Sequence, residues 1–296
     1  MNADSTFVIG STHAVCQDYV VAGNPKSAQA PYVILSDGCS SSLDTDIGAR
    51  LLVKSAERIL ITAPDTDTRL VHASAAAEAL KLATLLGLIS QAVDATLLTA
   101  QVREHELVLA CSGDGVIAIQ DWSGVLEAYS IAYPSGYPRY PTYSQQPDRL
   151  AALSVYEERP AGSFSAAPAS QQQDSGASIQ KEIKYYRGQP SQPGLELVDS
   201  FTSTEETEVF TFNARSTQFA SLLSDGIHSF CSTHGTESTK RAQPILFPSF
   251  ARELLSFKNT LGAFTGRRLR RFLKDCRERG WQHTDDLALG AIYLGD

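Results

Sequence analysis

The chain has 296 residues, 43% of them hydrophobic, which suits one large domain or two modest ones with a sizeable core. A formal net charge of −8 argues against a nucleic-acid binder that works through a broad basic face. The five cysteines are odd in number and include no CxxC pair, which argues against a disulfide framework or a cysteine zinc site and fits reduced thiols in the cytoplasm.

The first residues lack a basic start and a long apolar run, so no signal peptide is expected. Residues 6–9 and 19–21 read as short strands. Residues 32–35 (YVIL) form a continuous apolar run, as expected of a strand buried on both faces, and stop at the turn Ser36-Asp37-Gly38. Over 44–61, Ile47, Leu51, Leu52, Ala56, Ile59 and Leu60 recur at helical spacing; Ser42 or Asp44 is placed to cap the first turn, and Pro64 ends the helix. A second helix is expected over about 67–89, with apolar residues around much of its circumference, so it should pack on more than one side. The segment 73–88 is the longest apolar stretch, but it contains Glu78 and Lys81 and falls short of the roughly 18 uninterrupted apolar residues of a membrane span.

Strands then follow at 95–102, 106–111, 116–121 and 125–131, separated in part by Ser112-Gly113-Asp114-Gly115 and Ser123-Gly124, and read as an antiparallel meander. The proline-tyrosine stretch 133–143 reads as a loop outside the core, and the Ser/Ala/Gln-rich 163–178 as a mobile surface insertion. Strands return at 208–212 and 218–223, the latter ending in Ser224-Asp225-Gly226. Helical stretches cover 250–255 and 267–279, and a last apolar strand, 287–294, follows Thr284-Asp285-Asp286. Segregated helices and antiparallel strands predict an α+β fold.

Asp37, Asp114, Asp225 and Asp285 each sit at the end of an apolar strand, with few Lys or Arg beside them. A carboxylate at the mouth of a buried strand is partly desolvated and needs a partner. One divalent cation satisfies several carboxylates at once, and all-oxygen ligands favour Mg²⁺ or Mn²⁺, with Ca²⁺ as an alternative. Asp-Gly is also ordinary turn chemistry, and spacing alone does not show that these residues converge. Other chemistries lack their residues. A cysteine phosphatase needs Arg six positions after its cysteine, and those positions hold Ala22, Thr45, Ile117, Glu237 and Gln282. There is neither a P-loop nor an HExxH motif. Asp44-Thr45-Asp46 follows no buried strand and reads as an acidic helix start. Arg267, Arg268, Arg270 and Arg271 read as a solvated helix face.

The order Gln17-Asp18, Ser36-Asp37-Gly38, Gly113-Asp114-Gly115, Ser224-Asp225-Gly226 and Asp285-Asp286 resembles the protein phosphatase 2C family, metal-dependent PPM-type phosphatases. The stretch from His13 to Asp18 is similar to a divergent bacterial branch. The resemblance covers about 7–294 apart from roughly 133–205, and it implies a single domain over 1–296 with a loop-rich insertion at about 133–205. The implied fold is a four-layer αββα sandwich of two antiparallel sheets flanked by helices.

The implied activity is hydrolysis of phosphoserine and phosphothreonine in a protein substrate by a water shared between Mg²⁺ or Mn²⁺ ions, two and in some members three. By the same resemblance Asp37 bridges two ions and the Gly38 carbonyl joins the second. Asp225 and Asp285 complete the first, Asp114 with Asp225 shapes a third, and Asp18 orients metal-bound water. The chain departs from the family pattern in having Ser40-Ser41 where paired glycines are common and His13 where an arginine helps hold phosphate. Gln17 stands where some members have an acidic ligand. These departures keep two alternatives open: a noncatalytic module that binds a phosphorylated partner, and a hydrolase of small phosphoesters. Neither nucleic acid nor membrane is expected as a partner.

Overall fold

The computed structural model describes residues 1–23, 30–157, 179–232 and 242–295, with the side chains of 154–157 excepted. The stretch 163–178 lies outside the described residues. The strands are β1 (Asn2–Val8), β2 (Tyr19–Gly23), β3 (Tyr32–Ser36), β4 (Leu97–Arg103), β5 (Glu106–Ser112), β6 (Gly115–Asp121) and β7 (Leu126–Ala132) in the first half. The second half has β8 (Lys181–Gly188), β9 (Glu196–Ser203), β10 (Thr207–Asn213), β11 (Thr217–Leu223), β12 (Phe230–Ser232), β13 (Gln243–Pro244), β14 (Trp281–His283) and β15 (Leu287–Tyr293). The helices are α1 (Thr45–Thr62), α2 (Thr68–Leu85), α3 (Pro147–Glu157), α4 (Phe247–Leu254) and α5 (Phe264–Glu278).

Two antiparallel sheets carry the fold, in the orders β1-β15-β11-β6-β7-β8-β9 and β10-β5-β4-β3-β2, with β13-β12-β14 as a small third sheet. Side-chain alternation along each strand sorts the core into layers. On β3, Val33 and Leu35 point between the sheets and meet Leu98, Ile117, Leu222 and Ile292. Tyr32 and Ile34, on the opposite face, pack on Val53, Ala56 and Val71 of α1 and α2. On the other side of the sandwich, Val116, Leu223 and Leu289 pack on Phe247, Phe250, Leu269 and Phe272 of α4 and α5. The result is the expected αββα layering, and it explains why 32–35 shows no alternation: both of its faces are covered.

The expected meander over 95–131 is broken in the middle. β4–β5 and β6–β7 pair as antiparallel hairpins, but β5 and β6 belong to different sheets. The turn between them carries Gly113 at φ 92° and Gly115 at φ 135°, left-handed values that let the chain cross the sandwich edge. Helix α1 begins at the expected place without the expected cap. Asp44 sits at φ 59° with no side-chain cap bond, while Ser42 donates to Asp94. The cap residue of α2 is Asp67, which accepts from the backbone N–H groups of Arg69 and Leu70.

His72 on α2 is 1% exposed, with Nδ1 2.8 Å from Ser112 Oγ and Nε2 2.9 Å from Thr99 Oγ1. Burial, reinforced by the nearby Lys181 charge, lowers its pKa to about 3. The unfolded chain therefore takes up a proton at His72 below about 6.5 that the folded chain refuses. Stability at this site is intact above that value and is lost as pH falls toward 3, on the order of 4 kcal/mol over the full window. In thermal melts from pH 7 to 4, His72→Gln, which does not titrate, should show a shallower acid decline than the native chain. Superimposable pH profiles would contradict this assignment.

Candidate functional site

Topology brings the predicted aspartates to one end of the sandwich. β11 and β15 are antiparallel neighbours, with Leu223 opposite Leu289, so Asp225, two residues after β11, and Asp285, two residues before β15, come to the same end of the sheet. In the other sheet Ser36 lies opposite Tyr19, and Leu97 opposite Ser112. Asp18, Asp37 and Asp114 therefore leave that sheet at the same end. Asp37 is fixed by its own backbone, with its carbonyl accepting from Thr96 N–H at 2.8 Å and its N–H donating to Thr96 Oγ1 at 3.0 Å. The two Ser-Asp-Gly turns need their glycines. A Cβ on Gly226 would lie 1.7 Å from the Asp286 carbonyl oxygen, and one on Gly38 would lie 2.7 Å from that of Thr45. Gly226→Ala should accordingly destabilise the fold by about 3 kcal/mol, because the obstacle is backbone, and denaturant unfolding would measure it.

A cleft of about 490 Å³ opens here, lined by Asp37, Gly38, Asp114, Asp225 and Asp285 on one side and by Tyr137, Tyr140, Tyr143 and Arg149 on the other. Burial raises the pKa of Asp37, and the charges of Asp18, Asp225 and Asp114 raise it further. Burial and the Asp225 charge likewise raise Asp114 and Asp285. These carboxylates crowd one another without a matching set of basic side chains.

Asp18 does not line the cleft. It is 1% exposed, accepts a 2.7 Å bond from Ser224 Oγ, and has its pKa raised by burial and by the charges of Asp225 and Asp286. Its Oδ1 is buried with no hydrogen-bond partner. His13 also stands behind the cleft, with Nδ1 3.0 Å from Asp286 Oδ2 and Nε2 3.4 Å from Asp285 Oδ1. Burial pulls its pKa down, but the bond to Asp286 and the charges of Asp286, Asp285 and Asp18 outweigh that and hold it above the ordinary histidine value. Both ring nitrogens face carboxylates, so His13 buttresses Asp285 and does not face the cleft. Asp286, read from sequence only as the neighbour of Asp285, is a fastening point. It is 2% exposed and accepts the N–H groups of Gly10 at 2.7 Å and Gln17 at 2.6 Å, tying the 10–17 loop to the site.

The proline-tyrosine stretch departs from its expected place outside the core. Tyr133, Tyr140 and Tyr143 are buried with Leu153 and Ile179, forming a small satellite core that walls the cleft. Asp94 and Arg149 complete that wall and carried no sequence signal, since neither belongs to a motif.

The residues present suit an oxygen-preferring divalent cation in donor type and in charge: clustered carboxylates raised by mutual repulsion, and an orphaned Asp18 oxygen beside them. Among the described residues no three His, Cys, Asp or Glu side chains already stand as a finished ligand set. No helix among them is long and apolar enough to cross a membrane.

Solved structures share this architecture. Serine/threonine phosphatase Stp1 from Staphylococcus aureus is 11% identical and matches with a TM-score of 0.54 over 100% of this chain and 96% of that one. The serine/threonine phosphatase of S. agalactiae is 12% identical, with a TM-score of 0.54 over 99% of each chain. A bacterial serine phosphatase reaches a TM-score of 0.55 at 10% identity, over 100% of this chain and 98% of that one. These likenesses are of fold. No curated protein matches the sequence. The profile of the family described as protein phosphatase 2C matches residues 10–274, most of the chain, from the 10–17 loop into α5, and the chain belongs to that family.

Proposed function

We propose that the protein is a Mg²⁺- or Mn²⁺-dependent phosphatase acting on phosphoserine or phosphothreonine of a protein substrate in the cytoplasm. The observation that carries this reading is the gathering of Asp37, Asp114, Asp225 and Asp285, from both sheets, around one cleft. Asp37, Asp225 and Asp285 would hold one ion, Asp37 and the Gly38 carbonyl a second, and Asp114 with Asp225 a weaker third. Ions bound there supply a water of lowered pKa as nucleophile and offset charge on the phosphoryl oxygens.

The protein's own groups do the rest. Asp18, held by Ser224 at 2.7 Å, orients Asp37 and any water behind it. Asp286 keeps the 10–17 loop against the site, and His13 steadies Asp285. Tyr140 and Tyr143 narrow the cleft and reduce its exposure to bulk water. No covalent intermediate is needed, consistent with the lack of a cysteine followed at the required spacing by arginine.

Hydrolysis of p-nitrophenyl phosphate should appear with added Mn²⁺, vanish with EDTA, and vanish in Asp225→Ala. Phosphopeptides should be better substrates than small phosphoesters. Absence of turnover with Mn²⁺ bound would sink the enzymatic reading in favour of a phosphate-binding module, and preference for small phosphoesters would overturn the protein-substrate part.

A further inference from the structure

The wall opposite the aspartates holds one cationic side chain. Among the described residues lining the cleft, Arg149 of α3 is the sole Lys or Arg, facing Asp37, Asp94, Asp114, Asp225 and Asp285. Its guanidinium is held in place twice. Nη1 and Nη2 donate to the two Asp94 carboxylate oxygens at 2.6 Å each, and the group lies 4.6 Å from the centre of the Tyr143 ring, with Nη2 3.3 Å from Tyr143 Oη. Asp94 is itself fixed to the loop that follows Asp37. Its backbone carbonyl accepts from Cys39 N–H at 2.8 Å, and its Oδ2 accepts from Ser42 Oγ at 3.2 Å. One carboxylate thus links the guanidinium to the 39–42 loop, in register with the aspartate cluster.

A guanidinium has five N–H donors. Asp94 takes two and Tyr143 Oη one, so two remain without an acceptor among the described residues. The side chain is 25% exposed, buried enough to be ordered and open enough to be reached. His13 is no substitute, because its nitrogens face Asp285 and Asp286. A phosphoryl group entering this cleft meets carboxylates on one side and needs a donor on the other, and each remaining guanidinium N–H, on Nε and on Nη1, is a charged single donor suited to one phosphoryl oxygen.

We infer that Arg149 binds a phosphoryl oxygen of the substrate through a free guanidinium N–H, with Asp94 as the positioning residue that holds the guanidinium. This rests on the phosphatase reading above. The test uses the full chain with Mn²⁺, p-nitrophenyl phosphate and inorganic phosphate. Arg149→Gln should raise KM and the inhibition constant of inorganic phosphate about tenfold each, with a smaller change in kcat. Inorganic phosphate near its native inhibition constant should raise the melting temperature of the Mn²⁺-loaded native chain and raise that of Arg149→Gln much less. A KM and a phosphate constant within about twofold of native, in a variant that folds, would overturn the inference and leave Arg149 a purely structural partner of Asp94. Should Arg149→Gln not fold, Arg149→Lys keeps a charge for Asp94 but loses the guanidinium N–H groups left over for substrate: a several-fold rise in KM is expected, and an unchanged KM overturns the proposal. A native chain that turns nothing over fails the phosphatase reading instead. The phosphate-induced melting shift, compared between native and variant, still decides the role of Arg149.

Discussion

Asp37→Asn should reduce Mn²⁺-dependent hydrolysis by about 10³-fold and at the same time raise the melting temperature of the metal-free protein. The loss follows from the position of Asp37, which lines the cleft together with Asp114, Asp225 and Asp285. The gain follows from the sign of its pKa shift. Burial and neighbouring negative charge raise it well above the ordinary 3.8, so the folded state disfavours the ionised form. A raised carboxyl pKa contributes stability below the ordinary value, and that contribution is lost as pH rises toward the folded pKa. At neutral pH the metal-free site therefore works against folding, and an uncharged isostere relieves it. Thermal melts in EDTA at pH 7, paired with steady-state rates, would check both halves. A variant that loses activity and stability together would show that Asp37 is structural.

Adding Mn²⁺ to the native protein should have the opposite effect on stability. A cation that binds the folded state alone adds roughly 2.7 kcal/mol at a hundred times its dissociation constant. For a chain of this size that is a melting-temperature rise of about 4 °C. The rise should be larger at pH 8 than at pH 6, because the ligands must be deprotonated and those of this site hold their protons above the usual range. EDTA should reverse it, and Asp37→Asn should remove most of it. Differential scanning fluorimetry across a pH and Mn²⁺ grid reads all of this without an activity assay. A flat response in the native chain would mean that the carboxylates do not hold the ion.

Much of the architecture was legible because burial leaves periodic marks. The YVIL strand, the α1 stripe and the closing strand all sit where their patterns put them. Strands β8 and β9 were not legible. They fall inside the stretch read as loop-rich, and β9 is exposed on nearly every residue, so Glu196–Ser203 shows no alternation between two environments. Helix α3 was hidden for a related reason, since it begins at Pro147 beside a tyrosine-rich loop that resembles surface chain until its rings are seen to pack together. At the site, Asp37, Asp225 and Asp285 announced themselves as carboxylates ending apolar runs. Asp94 and Arg149 did not, because their meaning lies in a contact spanning 55 positions of sequence.

The crossing at Ser112–Gly115 has a mechanical consequence. Asp37 extends from one sheet, Asp225 and Asp285 from the other, Asp114 lies in the turn that joins them, and a shared ion would act as a rivet through one rim of the sandwich. The far rim, around Trp122 and Phe212, is joined instead by the chain itself, which crosses between the sheets from β10 to β11, and gathers no such carboxylate cluster among the described residues. Ion loading should then slow amide exchange steeply at the ends of β3, β5 and β11 and hardly at all near Trp122, so that the two margins of the sandwich are closed by different means, one by a dissociable ion and one by the chain.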